Sequence, residues 1–486
     1  MSKTNSIIEK YPDYAVNIGI EVHVQLSTKS KIFCSCVNGM AKEPNKNICQ
    51  ICSGYPGVLP ILNKAVVNNA ILMGLATNSK INPSCSFARK HYFYPDLPKN
   101  YQISQSDIPI CQEGFIPIKK EDGTIKKIRL VRVHMEEDAG KNIHSKISNE
   151  SFVDLNRTGS PLIEIVSYPD IASTYEARAY LKMVHSIVQY LGIGSGNMEE
   201  GAFRADTNIS VRKKDSQELG TRCELKNINS FKFICDAVEY EIERQIETLK
   251  RGEKIEQQTL TWDTKNKKSV SLRSKEEAAD YRYFQEPDLP LLEINKDWIK
   301  RIKSHLPEMP IEKLERYQSR FNLSEYEAEI LVGDLGLAKY FEEAAKHNKS
   351  KHVVNLILRD VIGFLKENKI TINQFKIQPI HLAEIAQMLE NEKINNRGAQ
   401  EIFTQAAQSG KTPSELVKEL GLEQIGSEDD LEKIVLDILK NNQRQVEQYK
   451  SGKTNIFGFF VGQAMQKTKG KGNPKILTKL LYKHLS

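Results

Sequence analysis

The sequence predicts an α+β domain with a largely antiparallel sheet, followed by regions that are entirely α-helical. Up to about residue 295, short runs of alternating apolar and polar residues are separated by Gly, Pro and Asn, which is typical of half-buried strands. From about residue 296 these runs stop, and apolar residues recur at helical spacing. Strands grouped in one part of the chain and helices in another indicate an α+β architecture.

The predicted elements follow in chain order. The strand runs are VNIGIEVHVQL, KKIRLVRVHM, SPLIEIVSY, AFRADTNISVR and TRCELKNINSF. Helical spacing interrupts them near Asn63–Leu75, Ala172–Leu191 and Phe233–Leu249. The proline-containing segment DYRYFQEPDLPLLEI ends this part, and later runs such as LSEYEAEILVGDLGLAKYFEEAAK are helical. We therefore predict three domains, over residues 1–295, 296–370 and 371–486.

The composition is ordinary for a soluble protein. Of the 486 residues, 40% are hydrophobic and 27% are charged, and no apolar run has the length of a membrane span. The first residues, MSKTNSIIEKYPDY, lack the apolar core of a secretion signal. Both observations predict a cytoplasmic location, where the eight cysteines would stay reduced.

Positive charge is concentrated toward the C-terminal end. The net charge is +7, and residues 444–486 contain nine Lys and Arg against one acid, Glu447. Lys467, Lys469 and Lys471 lie in the glycine-containing stretch QKTKGKGNPK between two helical runs. Such a cluster predicts contact with the phosphate backbone of a nucleic acid. A lysine-rich surface that only aids solubility is the alternative.

Acidic side chains occur on predicted strands in apolar surroundings. In GIEVHVQL, Glu21 and His23 share one face, because side chains alternate along a strand. Glu136 and Glu137 end the run VRVHMEED, and Glu164 lies among Leu, Ile and Val. A buried carboxylate requires a partner, and a hard cation with oxygen ligands is one. These side chains are candidate metal ligands if their strands are neighbours; for any one of them, a solvent-facing carboxylate is the alternative.

Four cysteines form two close pairs. One residue separates Cys34 from Cys36, two separate Cys49 from Cys52, and twelve lie between the pairs. Two such pairs across a loop supply the ligands of a tetrahedral zinc site. Four reduced thiols without a metal are the alternative. The other cysteines are predicted to lie in the core: Cys85, Cys111, Cys223 and Cys235.

The segment FARKHYFYPDLPKNYQISQ mixes cations with aromatic rings. Within it, Arg89, Lys90, His91 and Tyr92 are candidate cofactor contacts. Cations bind phosphates, and aromatic rings stack on bases, so this composition suits a nucleotide or a single-stranded nucleic acid. An aromatic core with a solvated basic edge is the alternative.

Several blocks of the chain, taken in order, resemble one protein family. They are GIEVHVQL, FARKHYFYPDLPKNYQISQ, HMEEDAGK, DLNRTGSPLIEIVS, GNMEEGAFRADTNISVR, GTRCELKNINSF and YRYFQEPDLP. They resemble the B subunit of the glutamyl/aspartyl-tRNA amidotransferases, the GatB family. The C-terminal GFFVGQAMQKTKGKGNPKILTKLL resembles the YqeY-like tail of the same family. The resemblance implies an α+β cradle domain, an all-α helical domain and an all-α YqeY-like tail.

The resemblance also implies a function shared with partner proteins of a heterotrimer. The cradle would bind the acceptor end of misacylated tRNA(Gln) or tRNA(Asn) and use ATP and Mg²⁺ to phosphorylate the side chain of the attached Glu or Asp. The A subunit, an amidase, would release ammonia from glutamine, and this ammonia would displace the phosphate. The small C subunit would hold the other two together.

The resemblance also implies roles for particular residues. The residues that fall on the motifs lining the phosphorylation site are Glu21, His23, Glu136 and Glu164, with Glu137 as an adjacent candidate. The cysteine pairs match those with which some members of the family hold a structural zinc ion.

Two functions of other classes compete with this one. A non-catalytic tRNA-binding scaffold would need the basic tail and the aromatic segment but not the strand acids. A zinc-dependent nucleic-acid module would depend chiefly on the cysteines. The carboxylates embedded in apolar strands favour the enzyme.

Overall fold

The structure, a computed structural model, describes residues 10–39, 41, 43–145, 147–273, 280–422, 428–468 and 472–485. The chain divides into two compact units, residues 1–313 and 314–486. The first combines a large sheet with helices, and the second is helical. This arrangement confirms the predicted fold class. The domain boundaries predicted near residues 295 and 370 remain predictions.

In the part of the chain that the structure describes, the strands lie in the first unit. They are β1 (Tyr14–Gln25), β2 (Lys80–Ile81), β3 (Ser84–Cys85), β4 (Ala88–His91), β5 (Tyr101–Ser104), β6 (Cys111–Gln112), β7 (Phe115–Lys119), β8 (Ile125–Glu137), β9 (Lys141–His144), β10 (Ser151–Asp154), β11 (Pro161–Ser167), β12 (Phe203–Lys213), β13 (Cys223–Leu225), β14 (Thr259–Asp263), β15 (Lys268–Arg273), β16 (Phe284–Gln285) and β17 (Leu292–Glu293).

The helices are distributed over both units. The α-helices are α1 (Lys64–Ala76), α2 (Thr174–Leu191), α3 (Phe231–Lys250), α4 (Lys296–Lys303), α5 (Pro310–Phe321), α6 (Glu325–Val332), α7 (Leu335–His347), α8 (Lys351–Asn355), α9 (Ile362–Asn368), α10 (Pro379–Glu390), α11 (Asn396–Ser409), α12 (Pro413–Leu420), α13 (Glu428–Asn441), α14 (Gln443–Lys450), α15 (Phe457–Lys467) and α16 (Pro474–Leu485). A π-helical turn at Leu356–Val361 lies between α8 and α9.

A ten-stranded sheet organises the first unit. Its order is β15-β14-β13-β12-β1-β11-β8-β6-β2, with β7 also paired to β8. Neighbouring strands are antiparallel except β13 and β14, which are parallel. A smaller sheet has the order β16-β4-β5. The long central strands β12, β1, β11 and β8 therefore lie side by side.

The apolar side of the central strands forms the core. Ile20, Val22 and Val24 on β1 are fully buried, whereas the alternating Glu21 and His23 retain some exposure. Helices α2 and α3 pack on this side against β1 and β12. A β-strand turns successive side chains to opposite faces, so burying one set directs the polar set to the other face.

Capping groups define the ends of α2. The Ser173 side chain accepts a hydrogen bond from the Glu176 backbone N–H. At the other end, Gly192 has φ 64°, a left-handed conformation that a residue without Cβ adopts at no steric cost. The observed helix agrees with the one predicted near residues 172–191.

Helix packing builds the core of the C-terminal region. Leu431, Val435 and Ile438 of α13 pack with Phe460 of α15 and with leucines of α16. Such apolar residues at three- or four-residue spacing form one helix face. Among the described residues, none of the helices is long and apolar enough to cross a membrane.

Candidate active site

The central strands bring four polar side chains into one row across the sheet. His23 on β1 lies opposite Glu164 on β11, and Glu164 lies opposite His134 on β8. On its other side, His23 lies opposite Arg204 on β12. Directly opposed residues of antiparallel strands hold their Cβ atoms about 5 Å apart on one face. Strand order and register therefore assemble these four groups.

His23, Glu136 and Glu164 form what we call the acid cluster. His23 Nε2 lies 3.4 Å from Glu164 Oε2 and 3.7 Å from Glu136 Oε1. His134 Nε2 lies 3.3 Å from Glu164 Oε2 and 3.8 Å from Glu136 Oε2. One ligand atom from each residue of the cluster lies within 4.8 Å of the others. One cation can bind between oxygens and a nitrogen at these separations.

Charges within the acid cluster depend on one another. Burial disfavours ionised Glu164, but His134 and His23 lower its pKa well below the ordinary value. Burial also disfavours protonated His23, yet Glu164 and Glu136 raise its pKa to about 9. Burial lowers the pKa of Lys90, but Glu136 and Glu164 outweigh it and raise that pKa. Both carboxylates of the cluster are thus ionised at neutral pH, and protonated His23 and Lys90 balance their charge.

Glu21 lies in a second, neighbouring group of carboxylates. Glu21, Asp206 and Glu224 each offer an oxygen within 4.8 Å of the others. Lys226 Nζ lies 3.0 Å from Asp206 Oδ2 and 3.1 Å from Glu224 Oε1. The Asn208 side chain donates to Glu21 Oε1 at 3.0 Å, and burial raises the pKa of Glu21. An ammonium group therefore already balances part of this second group.

Glu137 is directed away from the acid cluster. It follows Glu136 on β8, and consecutive strand side chains point to opposite faces. Its Oε1 atom accepts hydrogen bonds from the Ile103 backbone N–H, at 2.9 Å, and from the Lys99 ammonium group. The structure therefore brings together three of the predicted acidic-site residues and places Glu21 and Glu137 with other partners.

A cavity of about 500 Å³ opens beside the row of strand side chains. Arg204, Asp206, Arg157 and Lys141 contribute to its wall. Arg204 Nη2 donates to Asp138 Oδ2 at 3.0 Å, and Arg157 Nε lies 3.5 Å from the same oxygen. Because Arg204 also lies opposite His23, the cavity adjoins the acid cluster. The wall also contains the carboxylates of Asp154, Glu199 and Glu200, so its guanidinium groups are the candidate contacts for an anionic ligand.

Two of the predicted cofactor contacts are held in other interactions. Arg89 makes a bidentate pair with Glu286 at 2.8 and 2.9 Å, and its guanidinium lies 4.3 Å from the Tyr101 ring centre. His91 stacks on Phe284 with ring centres 4.9 Å apart. These contacts join β4 to β16 and β5, and the structure uses both side chains to hold the small sheet together.

Lys90 and Tyr92 occupy a different environment. Lys90 follows Arg89 on β4 and therefore points to the opposite face, where its Nζ lies 4.8 Å from the Tyr281 ring centre. The negative charge of Glu136 contributes to the raised pKa of Lys90. Tyr92 packs edge-on against Tyr281 at 6.3 Å. Of the four predicted cofactor contacts, Lys90 is the one that the acid cluster attracts.

The two cysteine pairs meet in space. The sulfurs of Cys34, Cys36, Cys49 and Cys52 all lie within 4.8 Å of one another, and the last two are 3.9 Å apart. Zinc–sulfur bonds of about 2.3 Å in a tetrahedron separate the sulfurs by about 3.8 Å. Hydrogen bonds from Cys34 and from the Cys49 backbone N–H lower the pKa of Cys52. The four sulfurs therefore fit a zinc ion.

Hydrogen bonds connect the cysteine loop with a segment that leads to Asp138. The Asn47 backbone N–H donates to Asn156 Oδ1 at 2.8 Å. The Ile32 N–H donates to the Gly159 carbonyl at 3.0 Å, and the Gly159 N–H donates to the Asp138 carbonyl at 2.9 Å. The cysteine site thus supports the backbone from which Asp138 reaches Arg204.

Two family models match most of the chain. The family model described as the GatB/GatE catalytic domain matches residues 16–300, and the model described as the GatB domain matches residues 339–485. The chain belongs to the GatB family. The acid cluster, the cavity and the cysteines lie within the first match, and the lysine-rich tail lies within the second.

Similar GatB chains cover almost the full length. A relative from Thermodesulfovibrio yellowstonii is 47% identical over 473 residues, which is 97% of this chain and 99% of the relative. One from Geotalea daltonii is 48% identical over 477 residues, with the same coverage. One from Persephonella marina is 47% identical over 466 residues, with 96% and 98% covered. All three are named as the B subunit of aspartyl/glutamyl-tRNA(Asn/Gln) amidotransferase.

The lysines of the GatB tail are largely paired. Lys467 on α15 pairs with Asp437 on α13, and Lys479 Nζ on α16 lies 3.1 Å from Glu428 Oε1. Lys469 and Lys471 lie outside the described residues. Helices α15 and α16 flank the lysine stretch as the sequence predicted, and tRNA contact by its lysines stays a prediction.

Sequence reasoning missed several charged residues of this GatB site. Arg204 and Asp206 alternate along AFRADTNISVR just as Glu21 and His23 alternate along GIEVHVQL. That alternation was the available signal. Lys226 carries no comparable signal, because it lies just beyond the end of a strand, and Asp138 was seen at the end of VRVHMEED but given no role.

Proposed function

We propose that this chain is the B subunit of a glutamine-dependent aminoacyl-tRNA amidotransferase. With ATP, it activates the side-chain carboxylate of Glu-tRNA(Gln), Asp-tRNA(Asn) or both, and the activated group is then amidated. The observation that carries the proposal is the acid cluster, which lies within the residues matched by a GatB/GatE catalytic domain. An amidase, the A subunit, supplies ammonia, and the small C subunit is the third member of the heterotrimer.

The test is reconstitution. Purified chain combined with the amidase and the small C subunit should convert Glu-tRNA(Gln), Asp-tRNA(Asn) or both to the amidated forms, dependent on ATP and glutamine. Without the amidase, the chain should do so only when ammonia is added. Failure to amidate either tRNA under both conditions contradicts the proposal.

The chemistry requires an activation step. Ammonia does not displace oxide from a carboxylate, whereas phosphorylation of that carboxylate creates a group that leaves as phosphate. Bound Mg²⁺ would offset charge on the phosphates and orient the in-line transfer. The residues of this chain must then hold the cation, the nucleotide and the aminoacyl end close together.

The acid cluster fits the cation. Two ionised carboxylates, Glu136 and Glu164, supply the oxygen ligands that Mg²⁺ prefers, and His23 lies within reach of both. His134 contacts both carboxylates from the other side and holds their orientation. Glu21 belongs to this proposal as the acid two residues before His23 on the same face of β1. Glu137 is not included in the proposed cation site, because it pairs with Lys99.

We place the phosphates of ATP between the acid cluster and the cavity. Arg204 lines the cavity and lies opposite His23, and Lys90 lies in the electrostatic field of Glu136 and Glu164; neighbouring acids raise the pKa of both. A guanidinium group binds two phosphate oxygens at once, which orients the transferred group. Arg157 on the cavity wall is a further candidate.

Replacing Arg204 with Met tests this placement. The variant keeps most of the side-chain volume and leaves Asp138 a partner in Arg157. Loss of one hydrogen bond to a charged group, worth about 1.5–3 kcal/mol, should raise the KM for ATP about 10-fold or more. Steady-state kinetics of the reconstituted complex measure this.

Arg251→Met is the matched control for Arg204. Arg251 is an exposed arginine whose partner is Glu253, so its replacement should leave the KM for ATP unchanged. An unchanged kcat and an unchanged KM for ATP in the Arg204 variant would contradict phosphate contact.

The tail is proposed to bind tRNA away from the reaction. Replacing Lys467, Lys469 and Lys471 together with Ala should weaken tRNA binding at low salt. The slope of log affinity against log salt should fall by about one for each phosphate neighbour that is removed. The activation step at saturating tRNA should persist. Fluorescence titration at two salt concentrations measures both the affinity and the slope.

A second lysine triple provides the control for the tail. Lys339, Lys346 and Lys349 are exposed lysines outside the tail stretch, and their replacement by Ala removes the same charge. Equal losses of affinity in both triples would show a general charge effect and contradict a dedicated tail contact. An unchanged affinity of the tail triple at low salt would contradict it too.

Zinc and location complete the proposal. The spacing of the four cysteine sulfurs supports a structural zinc ion. We also propose a cytoplasmic location, because aminoacyl-tRNA is used there. A non-catalytic tRNA-binding scaffold remains the second candidate, since the tail would serve either function. Retained amidation after the acid cluster is neutralised would favour the scaffold.

A further inference from the structure

Lys31 is a fully buried lysine beside the cysteine site. Its exposed fraction is 0%. Its Nζ atom donates to the Asn47 carbonyl at 2.8 Å and to Cys52 Sγ at 3.7 Å. Lysine is almost never fully buried without a partner, because removing an ammonium group from water costs several kcal/mol.

The two partners of the Lys31 side chain are a carbonyl oxygen and a sulfur. In the part of the chain that the structure describes, no carboxylate lies within the 4.0 Å ion-pair distance of its Nζ. A carbonyl oxygen offers a dipole, and a neutral thiol offers less. A thiolate offers the opposite charge at hydrogen-bond range. The surroundings of Lys31 therefore suit Cys52 in its metal-bound, thiolate form.

We propose that Lys31 is the charge partner and organiser of the four-cysteine metal centre. Four thiolates around Zn²⁺ carry a net charge of about −2. The buried ammonium group offsets part of that charge and donates to one ligand sulfur. This inference rests on the proposed zinc site and goes beyond it, because it assigns the retention of the metal to a residue that is not a ligand.

The backbone of Lys31 strengthens the same role. Its N–H donates to the Cys36 carbonyl at 2.9 Å, while its side chain holds the Asn47 carbonyl, two residues before Cys49. One residue thus fixes the first cysteine pair through its backbone and the second pair through its side chain. Groups that orient metal ligands in this way commonly change metal affinity about 10–100-fold.

The position of Lys31 also connects the metal centre with the acid-cluster side of the molecule. The following residue, Ile32, donates its N–H to Gly159, whose own N–H donates to the Asp138 carbonyl. A Cβ placed on Gly159 would lie 3.5 Å from Lys31 Cδ, so the lysine stem packs against this turn. Loosening Lys31 should therefore loosen the cysteine loop and the Asp138 turn together.

Zinc release from Lys31→Met and Lys31→Gln is the decisive measurement. Methionine keeps the length of the stem without charge, and glutamine keeps a donor without charge. Purified wild-type chain should contain about one zinc, and both variants should release it to a chromogenic chelator about 10-fold faster or more. Lys29→Met, which changes a neighbouring exposed lysine, should release zinc at the wild-type rate.

A cobalt spectrum separates a charge contact from a merely structural role. In protein loaded with Co²⁺, removing the ammonium donor raises the energy of the Cys52 sulfur electrons, so the sulfur-to-cobalt charge-transfer band of Lys31→Met should move to longer wavelength. Circular dichroism establishes that each variant is folded; if Lys31→Met does not fold, Lys31→Gln carries the same two measurements.

The outcomes distinguish the two proposals. Wild-type chain purified without chelators and found free of zinc overturns the zinc site, and this inference with it. Zinc present in the wild type, with release rates and cobalt spectra of the folded Lys31 variants unchanged, overturns the inference alone and leaves the zinc site standing.

Discussion

Replacing Glu164 with Gln should lower ATP-dependent amidation by the reconstituted complex about 100-fold or more, equivalent to about 2.7 kcal/mol of transition-state stabilisation. Glu164 is buried and lies 3.4 Å from His23 Nε2 and 3.3 Å from His134 Nε2. Glutamine keeps the volume but removes the negative charge that a cation requires. Rates of phosphate release and of tRNA amidation at saturating ATP measure the loss.

Glu136→Gln should behave in the same way. Its carboxylate contacts both histidines and accepts a hydrogen bond from Ser104 at 3.2 Å. In both variants tRNA binding should be kept, because the tail is untouched, and glutamine hydrolysis by the amidase should continue. These two readouts separate a lost activation step from a misfolded protein.

Glu253→Gln is the control for the acid cluster. Glu253 is an exposed carboxylate paired with Arg251, and its replacement removes the same charge far from the candidate ligands. Its rate should equal that of the wild type. If Glu164→Gln or Glu136→Gln phosphorylates the substrate at a near wild-type rate under saturating Mg²⁺, the replaced residue is not a ligand.

Replacing Cys49 with Ser should remove the bound metal and lower the free energy of unfolding by about 3 kcal/mol or more. The four sulfurs converge from two pairs that a loop separates, and a metal ion would cross-link them. Serine does not supply the thiolate that zinc requires. Metal analysis and thermal unfolding of the purified chain measure both effects.

Cys235→Ser is the matched control for the cysteine site. Cys235 is a half-buried cysteine on α3 that does not belong to the four-sulfur group. Its replacement should leave the metal content unchanged and shift the unfolding temperature only slightly. Equal destabilisation by both changes, with no zinc in the wild type, would leave four reduced thiols at this site.

Much of the candidate site could be anticipated from local sequence. The sequence spacing of Cys34, Cys36, Cys49 and Cys52 is typical of a tetrahedral zinc site, and their sulfurs do lie close together. The alternation in GIEVHVQL correctly placed Glu21 and His23 on the face opposite to the apolar core. In both cases the information lies within one short segment of the chain, because chain geometry relates residues that are close in sequence.

Other parts could not be anticipated, because they depend on partners distant in the chain. Arg89 was a candidate phosphate ligand by composition, yet it is occupied by Glu286, almost two hundred residues away. Glu136 and Glu137 are adjacent in sequence, but one joins the acid cluster and the other pairs with Lys99. The partner of each glutamate depended on which face of the sheet its side chain lies on and on which other strands pack there.

The sequence by itself determined the alternation of each strand, the cysteine pairs, the sheet region followed by helices, and the motifs of the GatB family. Only the tertiary structure decided that β11 lies between β1 and β8 and that His23 lies opposite Glu164. The physical reason is that strand order and register are set by contacts between distant segments. A shift of one residue in pairing turns every side chain to the other face, so the acid cluster exists only in the register that also buries Ile20, Val22 and Val24.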